Sequence, residues 1–134
     1  MSGAHSRNKG RRGEQDVSRI LREWLGLEVT RNWAEQSHHG GVDILGLVDW
    51  AIEVKRAKTY SRQWWNQCEE QAKSLSMMPV LIYRCDGVGR GLPEQEKWIC
   101  EMFAHDIIPY REKGEYRVSM PMACWMDIIR EGMA

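Results

Sequence analysis

Residues 40–58 read Gly-Gly-Val-Asp-Ile-Leu-Gly-Leu-Val-Asp-Trp-Ala-Ile-Glu-Val-Lys-Arg-Ala-Lys and contain two apolar runs. The runs cover residues 42–45 and 50–54, and the link between them contains Gly46 and Asp49. Two short apolar runs joined by a link with such turn residues are typical of a β-hairpin. We therefore predict a hairpin here, and the rest of the fold is expected to assemble around it.

Three charged side chains interrupt this hairpin, where an unpaired buried charge would be costly. They are Asp43, Glu53 and Lys55. Side chains alternate along a strand, so Glu53 and Lys55 share one face. If Leu45 pairs with Ala51, Asp43 lies opposite Glu53, with about 4.5–5.5 Å between their Cβ atoms. Two carboxylates at that spacing repel each other unless a cation lies between them, so we predict a site for a hard divalent ion.

The spacing of these residues resembles a known nuclease motif. Val42-Asp43, then nine residues, then Glu53-Val54-Lys55 is similar to the PD-(D/E)XK motif. The surrounding chain, over roughly residues 10–84, is most similar to the Holliday-junction-resolvase-like branch of that superfamily. Val42 stands where the name of the motif has proline, a position that supports the turn and carries no chemistry.

The resemblance implies an α/β protein with a restriction-endonuclease-like core, in which helices flank a central mixed β-sheet. It also implies a metal-dependent DNA endonuclease, acting on branched or Holliday-junction DNA. Asp43, Glu53 and the backbone carbonyl of Val54 would hold Mg²⁺ or Mn²⁺. Lys55 would orient the attacking water or stabilise the phosphorus centre, and Glu14 would join the metal directly or through water.

Glu14 lies on a helix that we predict from Arg12 to Leu25. Apolar residues recur along it at helical spacing, namely Val17, Ile20, Leu21, Trp24 and Leu25. Glu14 falls on or beside this stripe, which points it towards the core. A first-turn glutamate favoured by the helix dipole is the alternative, but the helix-borne glutamate of resolvase-like nucleases matches Glu14.

A second helix is predicted over residues 60–77, with Trp64, Cys68, Ala72 and Leu75 on its apolar stripe. Gln67 and Gln71 flank that stripe. Resolvase-like nucleases carry a glutamine near the metal on this helix, and the distance to the next strand slightly favours Gln67. Two amides at the shoulder of a helix, without any role, explain the pattern equally well.

The 19 basic and 19 acidic residues give a net charge of zero, but the charges are segregated. We expect residues 1–11 to form a flexible basic arm and residues 12–134 to form a single nuclease-like domain. Side chains expected to contact DNA phosphates are Arg7, Lys9, Arg11, Arg12, His38, Arg56, Lys58 and Arg62. A solvated tail and an ordinary polar helix are the alternative. His38, beside His39 in a polar loop over residues 34–41, could instead contribute to a metal site.

Further elements complete the predicted sheet. Strands are expected at residues 27–33, 80–83, 97–103 and 116–120, with a loop over residues 85–95 and a closing amphipathic helix that carries Met122, Trp125, Met126 and Ile129. The continuous apolar run at 80–83 indicates a buried central strand. Nothing beyond residue 85 indicates chemistry.

Composition restricts the class of protein. With 43% hydrophobic residues and seven tryptophans the chain can bury a core, yet no run is long enough to span a membrane. The N-terminus has no signal-peptide pattern, so we expect a cytoplasmic protein. The four cysteines lack zinc spacing and are expected to be buried free thiols rather than metal ligands. A homodimer would suit a junction substrate, although no dimer face can be identified.

Two other functions fit the same residues. One is a DNA-binding module on a nuclease fold with little or no catalysis. The other treats the hairpin charges as a structural salt bridge between Lys55 and one acid, which leaves the second acid and Glu14 unexplained. The filled acidic and basic positions of the motif favour the nuclease.

Overall fold

A computed structural model of the chain describes residues 3–26, 30–31, 43–45, 47, 49–108, 112 and 114–133. Four α-helices lie within these ranges: α1 (Gly3–Leu25), α2 (Arg62–Leu75), α3 (Glu94–Lys97) and α4 (Met122–Met133). The strands are β1 (Thr30–Arg31), β2 (Ile44–Leu45), β3 (Trp50–Ala57), β4 (Met78–Cys85), β5 (Ile99–Phe103) and β6 (Arg117–Pro121). A short 3₁₀ turn covers Ala104–Asp106.

The strands form one mixed sheet in chain order, from β1 to β6. Only β3 and β4 run parallel among these described strands, and every other neighbouring pair is antiparallel. Parallel neighbours require a crossover, which α2 provides. The predicted α/β architecture, with a central mixed sheet flanked by helices, is confirmed.

Alternation along the central strands separates the sheet into two faces. One face carries Ile52, Val54, Val80, Ile82, Cys100 and Met102 and packs against α1 and α4. From α1 it buries Val17, Ile20 and Leu21, and from α4 it buries Met122, Trp125 and Met126. The predicted apolar stripes of both helices are confirmed.

The opposite face packs against α2. Trp65, Cys68 and Ala72 of α2 are buried there, with Leu81 of β4 beneath Trp65 and Cys68. Glu53 follows Ile52 along β3, so its side chain points to this α2 face. The charged residues of the hairpin therefore lie under α2 and not in the larger core.

Two serines fix the ends of α2 and therefore the position of the crossover. The Ser61 side chain accepts a hydrogen bond from the Gln63 N–H, which satisfies a donor of the first turn. Ser76 has φ 54°, and its N–H bonds back to the carbonyls of Ala72 and Lys73. The helix is thus shorter than the predicted 60–77.

The first helix begins well before its predicted start. Residues 3–11 are helical, so the start at Arg12 is wrong, and this segment does not have the irregular backbone expected for an arm. Its residues include good helix formers such as lysine and arginine and contain no proline. The Lys9 ammonium also contacts the Asp86 carboxylate beyond β4, which holds this part of the helix against the sheet.

Other boundaries differ by a few residues. Trp65 is buried on α2, whereas Trp64, which we placed on its stripe, is only half-buried. Within the predicted strand 27–33, residues 30–31 are extended, and residues 27–29 and 32–33 lie outside the described residues. The predicted loop 85–95 contains the start of α3, which shortens the following strand to Ile99–Phe103.

Gly13 sets how closely α1 approaches the sheet. A Cβ atom at this position would lie 3.2 Å from Cη2 of Trp98 and 3.7 Å from Cγ1 of Val54. Trp98 is fully buried and has no room to yield. The missing side chain at Gly13 therefore lets the next residue, Glu14, approach β3.

We expect Gly13→Val to destabilise the fold by about 1–3 kcal/mol, because the added methyl groups overpack this contact. Gly10→Val is the matched control, since a Cβ at Gly10 meets nothing within 4 Å. Valine there should leave stability unchanged or raise it slightly through helix propensity. Urea unfolding of both variants tests the difference; equal effects at the two positions would contradict it.

Candidate active site

The hairpin adopts the predicted register. Ile44 of β2 pairs with Ile52 of β3, which is the alignment that sets Leu45 against Ala51. The backbone N–H of Asp43 donates to the Ile52 carbonyl at 2.9 Å. Asp43 precedes Ile44 and Glu53 follows Ile52, so Asp43 and Glu53 lie opposite each other on neighbouring segments of the hairpin.

Asp43 is buried and bound to the neighbouring strand by its side chain. The residue is 6% exposed, and its Oδ2 accepts a hydrogen bond from the Val54 N–H at 2.7 Å. A strand residue directs its N–H and C=O to the same side. The Val54 carbonyl is therefore on the Asp43 side of β3, where the sequence resemblance requires it.

The surroundings of Asp43 disfavour its charge. Burial, followed by the negative charge of Glu53, raises the pKa of Asp43 to about 8, and Glu14 adds to the increase. The Val54 N–H and the Lys55 ammonium act in the opposite direction. A carboxyl group with such a pKa in a nuclease-like hairpin is a candidate functional residue, since active sites collect perturbed groups.

Glu53 and Lys55 form an ion pair on the α2 face. Lys55 Nζ lies 3.2 Å from Oε1 of Glu53, and the Lys55 side chain is 27% exposed while that of Glu53 is 5% exposed. Burial raises the pKa of Glu53, Lys55 opposes this increase, and Glu14 adds to it. The Lys55 ammonium thus lies between the buried Glu53 carboxylate and the solvent.

Glu14 reaches the same group from a third element. It is half-buried on α1, and its charge raises the pKa of both Asp43 and Glu53. Because α1 begins at Gly3, Glu14 lies in the middle of the helix and not in its first turn. The alternative that explained Glu14 by the helix dipole is therefore excluded, and α1, β2 and β3 each supply one acid.

The ion pair between Glu53 and Lys55 bears on the structural alternative. Such a pair does exist, and it joins Lys55 to Glu53. Asp43 and Glu14 both add unfavourable charge to the same place. A structural salt bridge alone therefore does not explain why the fold collects three carboxylates here.

The donor set fits a hard divalent cation. Among the described residues, no three His, Cys, Asp or Glu side chains form a cluster ready to coordinate metal. Mg²⁺ does not need such a cluster, since it keeps several waters and takes one or two carboxylates from protein. Asp43 and Glu53 supply two carboxylates whose mutual repulsion a cation would relieve, and the Val54 carbonyl supplies a third oxygen.

The two glutamines of α2 differ in burial. Gln67 is exposed, whereas Gln71 is half-buried one turn further along α2. Cys68 occupies the buried position beside the acids: burial, then the charges of Glu53 and Asp43, raise its pKa. Gln67 immediately precedes Cys68 on α2, and its role beside the acids stays a prediction.

The predicted DNA contacts fall into separate groups. Lys9 and Arg56 both bind Asp86, with 3.3 Å between Arg56 Nε and Oδ1. Cations exposed to solvent are Arg11, Arg12, Lys58 and Arg62. Arg7 belongs to α1, and His38 lies outside the described residues, as do the other residues of the loop 34–41.

The cysteines are all free, as predicted, but only Cys68 and Cys100 are buried. Cys85 is half-buried because it ends β4, and Cys124 is exposed on α4. The expectation that all four are buried is therefore wrong. In the described ranges, no helix has the length and apolar character needed to cross a membrane.

A polar group beyond residue 85 was missed from the sequence. The Tyr60 hydroxyl donates to Oε1 of Glu101 at 3.0 Å, and Arg117 Nη1 lies 3.1 Å from Oε2 of the same carboxylate. Glu101 is an acid in an otherwise apolar strand run, Ile99–Phe103, on β5. That interruption is the same signal that identified Glu53, and it could have located Glu101.

The chain is similar to known proteins in sequence and in fold. Protein D14 of Escherichia phage T5 is 32% identical over an alignment of 104 residues, and the match covers 60% of this chain and 65% of that protein. This chain thus spans a little under two thirds of that relative. The structure of Hjc, a Holliday junction resolvase from the archaeal hyperthermophile Archaeoglobus fulgidus, overlays with a TM-score of 0.47 and 19% identity, covering 86% of this chain and 85% of Hjc.

A family profile covers most of the chain. The profile described as "Phage putative PDDEXK endonuclease" matches residues 5–102, a range that includes Glu14, the hairpin and α2. The resemblance to PD-(D/E)XK nucleases found in the hairpin is thereby confirmed. The chain belongs to this phage PD-(D/E)XK endonuclease family.

Proposed function

We propose that this protein is a metal-dependent DNA endonuclease that hydrolyses phosphodiester bonds in branched DNA. One observation carries the proposal: Asp43 and Glu53, buried in register on the hairpin, repel each other beside Glu14 and Lys55. The repulsion between these carboxylates does not stabilise the fold. A cation-dependent hydrolase, however, needs closely spaced carboxylates to bind its metal. Membership of an endonuclease family supports the same activity.

Each residue has a defined part in the proposed mechanism. A bound Mg²⁺ or Mn²⁺ supplies charge neutralisation and lowers the pKa of water. Asp43, Glu53 and the Val54 carbonyl hold the cation. The Lys55 ammonium, held by Glu53, orients the attacking water or stabilises the charge that develops on the phosphate. Glu14 orients water from the α1 side.

Cleavage of labelled four-way junction, flap, duplex and single-stranded DNA tests this proposal. The protein should cut with Mg²⁺ or Mn²⁺, should not cut in EDTA, and should prefer the branched substrates. Cutting that persists in EDTA would contradict metal dependence. Binding of all four DNAs without cleavage under any condition would instead support a DNA-binding module.

We also propose a homodimer, because a four-way junction presents symmetry-related strands and a dimer presents two sites. Analytical ultracentrifugation with and without junction DNA tests it. A monomer that cuts both strands of a junction independently would contradict it.

DNA affinity should depend on salt through two cations near Lys55. Lys58 follows β3, and Arg62 begins α2; both are exposed and lie close in sequence to the end of β3 that carries Lys55. We expect Lys58→Gln and Arg62→Gln each to weaken binding and to reduce the slope of log K against log salt by about 1. The double variant should lose about 2.

Lys73→Gln provides the matched control for this prediction. Lys73 is an exposed cation in the last turn of α2, about 16 Å along the helix from Arg62. It pairs with Glu69 rather than extending towards the hairpin acids. Binding isotherms from 50 to 300 mM salt should show an unchanged slope for Lys73→Gln; an equal loss in all three variants would indicate unspecific charge effects.

A further inference from the structure

An aromatic pocket lies on the α2 face of the sheet, next to the proposed active site. Tyr83 of β4 pairs in register with Lys55 of β3. Glu101 of β5 pairs with Leu81, which in turn pairs with Glu53. Residues paired across neighbouring strands point to the same face of the sheet. Adjacent strands are about 4.8 Å apart, so Glu101 is roughly 10 Å from Glu53 across the sheet.

The pocket has a volume of about 560 Å³, within the usual range for small-molecule sites. Its lining includes Tyr60, Tyr83, Glu101, Tyr116, Arg117 and Ser119. Two of the aromatic rings are open to solvent, Tyr60 at 38% exposure and Tyr116 at 70%. Both rings are therefore available to a ligand, and they lie beside the buried carboxylate of Glu101.

The pocket is held in shape by its own contacts. Tyr60 packs edge-on against Tyr83 with 5.1 Å between ring centroids, and its hydroxyl binds Glu101. Arg117 bridges Glu101 and the Trp65 ring, 4.9 Å from the ring centroid. The Tyr60 ring is therefore fixed in place before any ligand arrives, which lowers the entropic penalty of binding.

The charge of the pocket disfavours phosphate. Glu101 and Glu115 bring two carboxylates, against the single cation Arg117, which already binds Glu101. An uncharged planar ring suits this lining better, since aromatic faces stack on it and hydroxyl and carboxylate oxygens accept hydrogen bonds from its amino groups. Nucleobases combine those properties.

We propose that this pocket accepts an unpaired nucleobase of the DNA strand adjoining the scissile phosphate, stacked on Tyr116 and Tyr60. This inference rests on the proposed nuclease function and specifies its substrate class: DNA with an unstacked base a few nucleotides from the cut. At about 3.4 Å per stacked nucleotide, the roughly 10 Å from Glu53 to Glu101 corresponds to about three nucleotides. A fully paired duplex keeps its bases stacked and cannot fill the pocket.

The test compares a flap DNA, carrying 2-aminopurine at its first unpaired nucleotide, with a paired duplex of the same sequence. Binding is measured in EDTA, so that no cleavage occurs. Tyr116→Ala should weaken flap binding about five- to tenfold, since each base–aromatic stack contributes substantially to affinity. It should also abolish the change in 2-aminopurine fluorescence that wild-type protein causes on binding. Duplex binding should stay within twofold, and Tyr116→Phe, which keeps the ring, should behave as wild type.

Val88→Ala is the matched control, because Val88 is an apolar side chain 63% exposed in the turn after β4. Val88→Ala should change neither the affinity for flap DNA nor the affinity for duplex DNA. Equal flap binding by wild type and Tyr116→Ala would overturn the inference, as would an equal loss on flap and duplex or a loss in Tyr116→Phe as large as in Tyr116→Ala.

The cleavage assay separates this inference from the proposed function. Wild-type protein that cuts DNA, together with a Tyr116→Ala variant whose flap preference is unchanged, overturns the base pocket and leaves the nuclease intact. Selective loss of flap binding in Tyr116→Ala supports the pocket even when no substrate is cut, a result that would count against the nuclease alone.

Discussion

Asp43→Asn is expected to reduce DNA cleavage about a thousandfold or more, the largest effect of any substitution proposed for this chain. The loss corresponds to roughly 4 kcal/mol of transition-state stabilisation. Asparagine has the shape of aspartate, and its Oδ1 can still accept the hydrogen bond that the Val54 N–H gives to Asp43. What disappears is one of the anions that we propose would hold the cation.

DNA binding should respond in the opposite way. In EDTA near pH 7, Asp43 is largely protonated because its pKa is about 8, so Asp43→Asn should leave DNA affinity unchanged. Above pH 8 the substitution removes an anion that repels phosphate, so affinity should become tighter. Single-turnover cleavage and binding in EDTA, measured on the same preparation, test the two parts. Lys55→Ala is the complementary variant: it should also stop cleavage but weaken binding slightly, because it removes a cation near the scissile phosphate.

Asp49→Asn is the control for Asp43→Asn. It makes the same chemical change within the same hairpin, at an exposed position with φ 71°. Asparagine tolerates this left-handed conformation, so folding should be unaffected and cleavage should stay within twofold of wild type. Cleavage that survives in Asp43→Asn would mean that another site, or a contaminant, cuts the DNA.

The hairpin could be predicted because its information is local. Alternation placed Glu53 and Lys55 on one face, and the register that sets Asp43 against Glu53 followed from the short link between the strands. The observed pairing of Ile44 with Ile52 is that register. Glu14 could be assigned to the same site only through the family resemblance, because helical periodicity does not determine where on the sheet α1 packs.

Features that depend on long-range contacts could not be predicted. The extension of α1 to Gly3 involves Lys9 and Asp86, which are 77 residues apart in sequence. The burial of Trp65 in place of Trp64 depends on the direction from which α2 packs on Leu81. The aromatic pocket joins residues from the loop before α2, β4, β5 and β6, and its members share no spacing in the sequence.

The metal-free protein should lose stability as pH rises from 5 to 8.5. The pKa of Asp43 is about 8 in the folded state, compared with about 4 in an unfolded chain. Between those values the folded protein holds a proton that the unfolded chain has released, so the free energy of unfolding falls with rising pH. Glu53, whose pKa is also raised, contributes with the same sign. The full stabilisation is present only below pH 4.

Other groups with shifted pKa values act mainly at the ends of this range. Burial raises the pKa of Cys68, Cys85 and Cys100, so these thiols add to the loss of stability with the same sign, but only as pH approaches 8.5. Asp86 has a lowered pKa, so its contribution changes only in acid. Burial and Glu101 raise the pKa of Tyr60 to about 12, so its contribution changes only above pH 8.5. The decrease between pH 5 and 8.5 therefore belongs mainly to the acids of the hairpin, and on linkage grounds it is on the order of several kcal/mol.

A divalent cation should cancel this decrease, because its positive charge would neutralise the two carboxylates in place of a bound proton. Urea unfolding at pH 5 and 8.5, with EDTA or with 10 mM Mg²⁺ or Mn²⁺, tests both parts of the prediction. Wild-type protein should be less stable at pH 8.5 in EDTA and should regain stability with metal. Asp43→Asn should show a flatter pH dependence and little response to metal, and it should exceed wild type in stability at pH 8.5 in EDTA, since it carries neither the buried charge nor the repulsion. A wild-type protein whose stability in EDTA rises across this range would mean that Asp43 is ionised without a cation, and that the repulsion on which the metal site rests is absent.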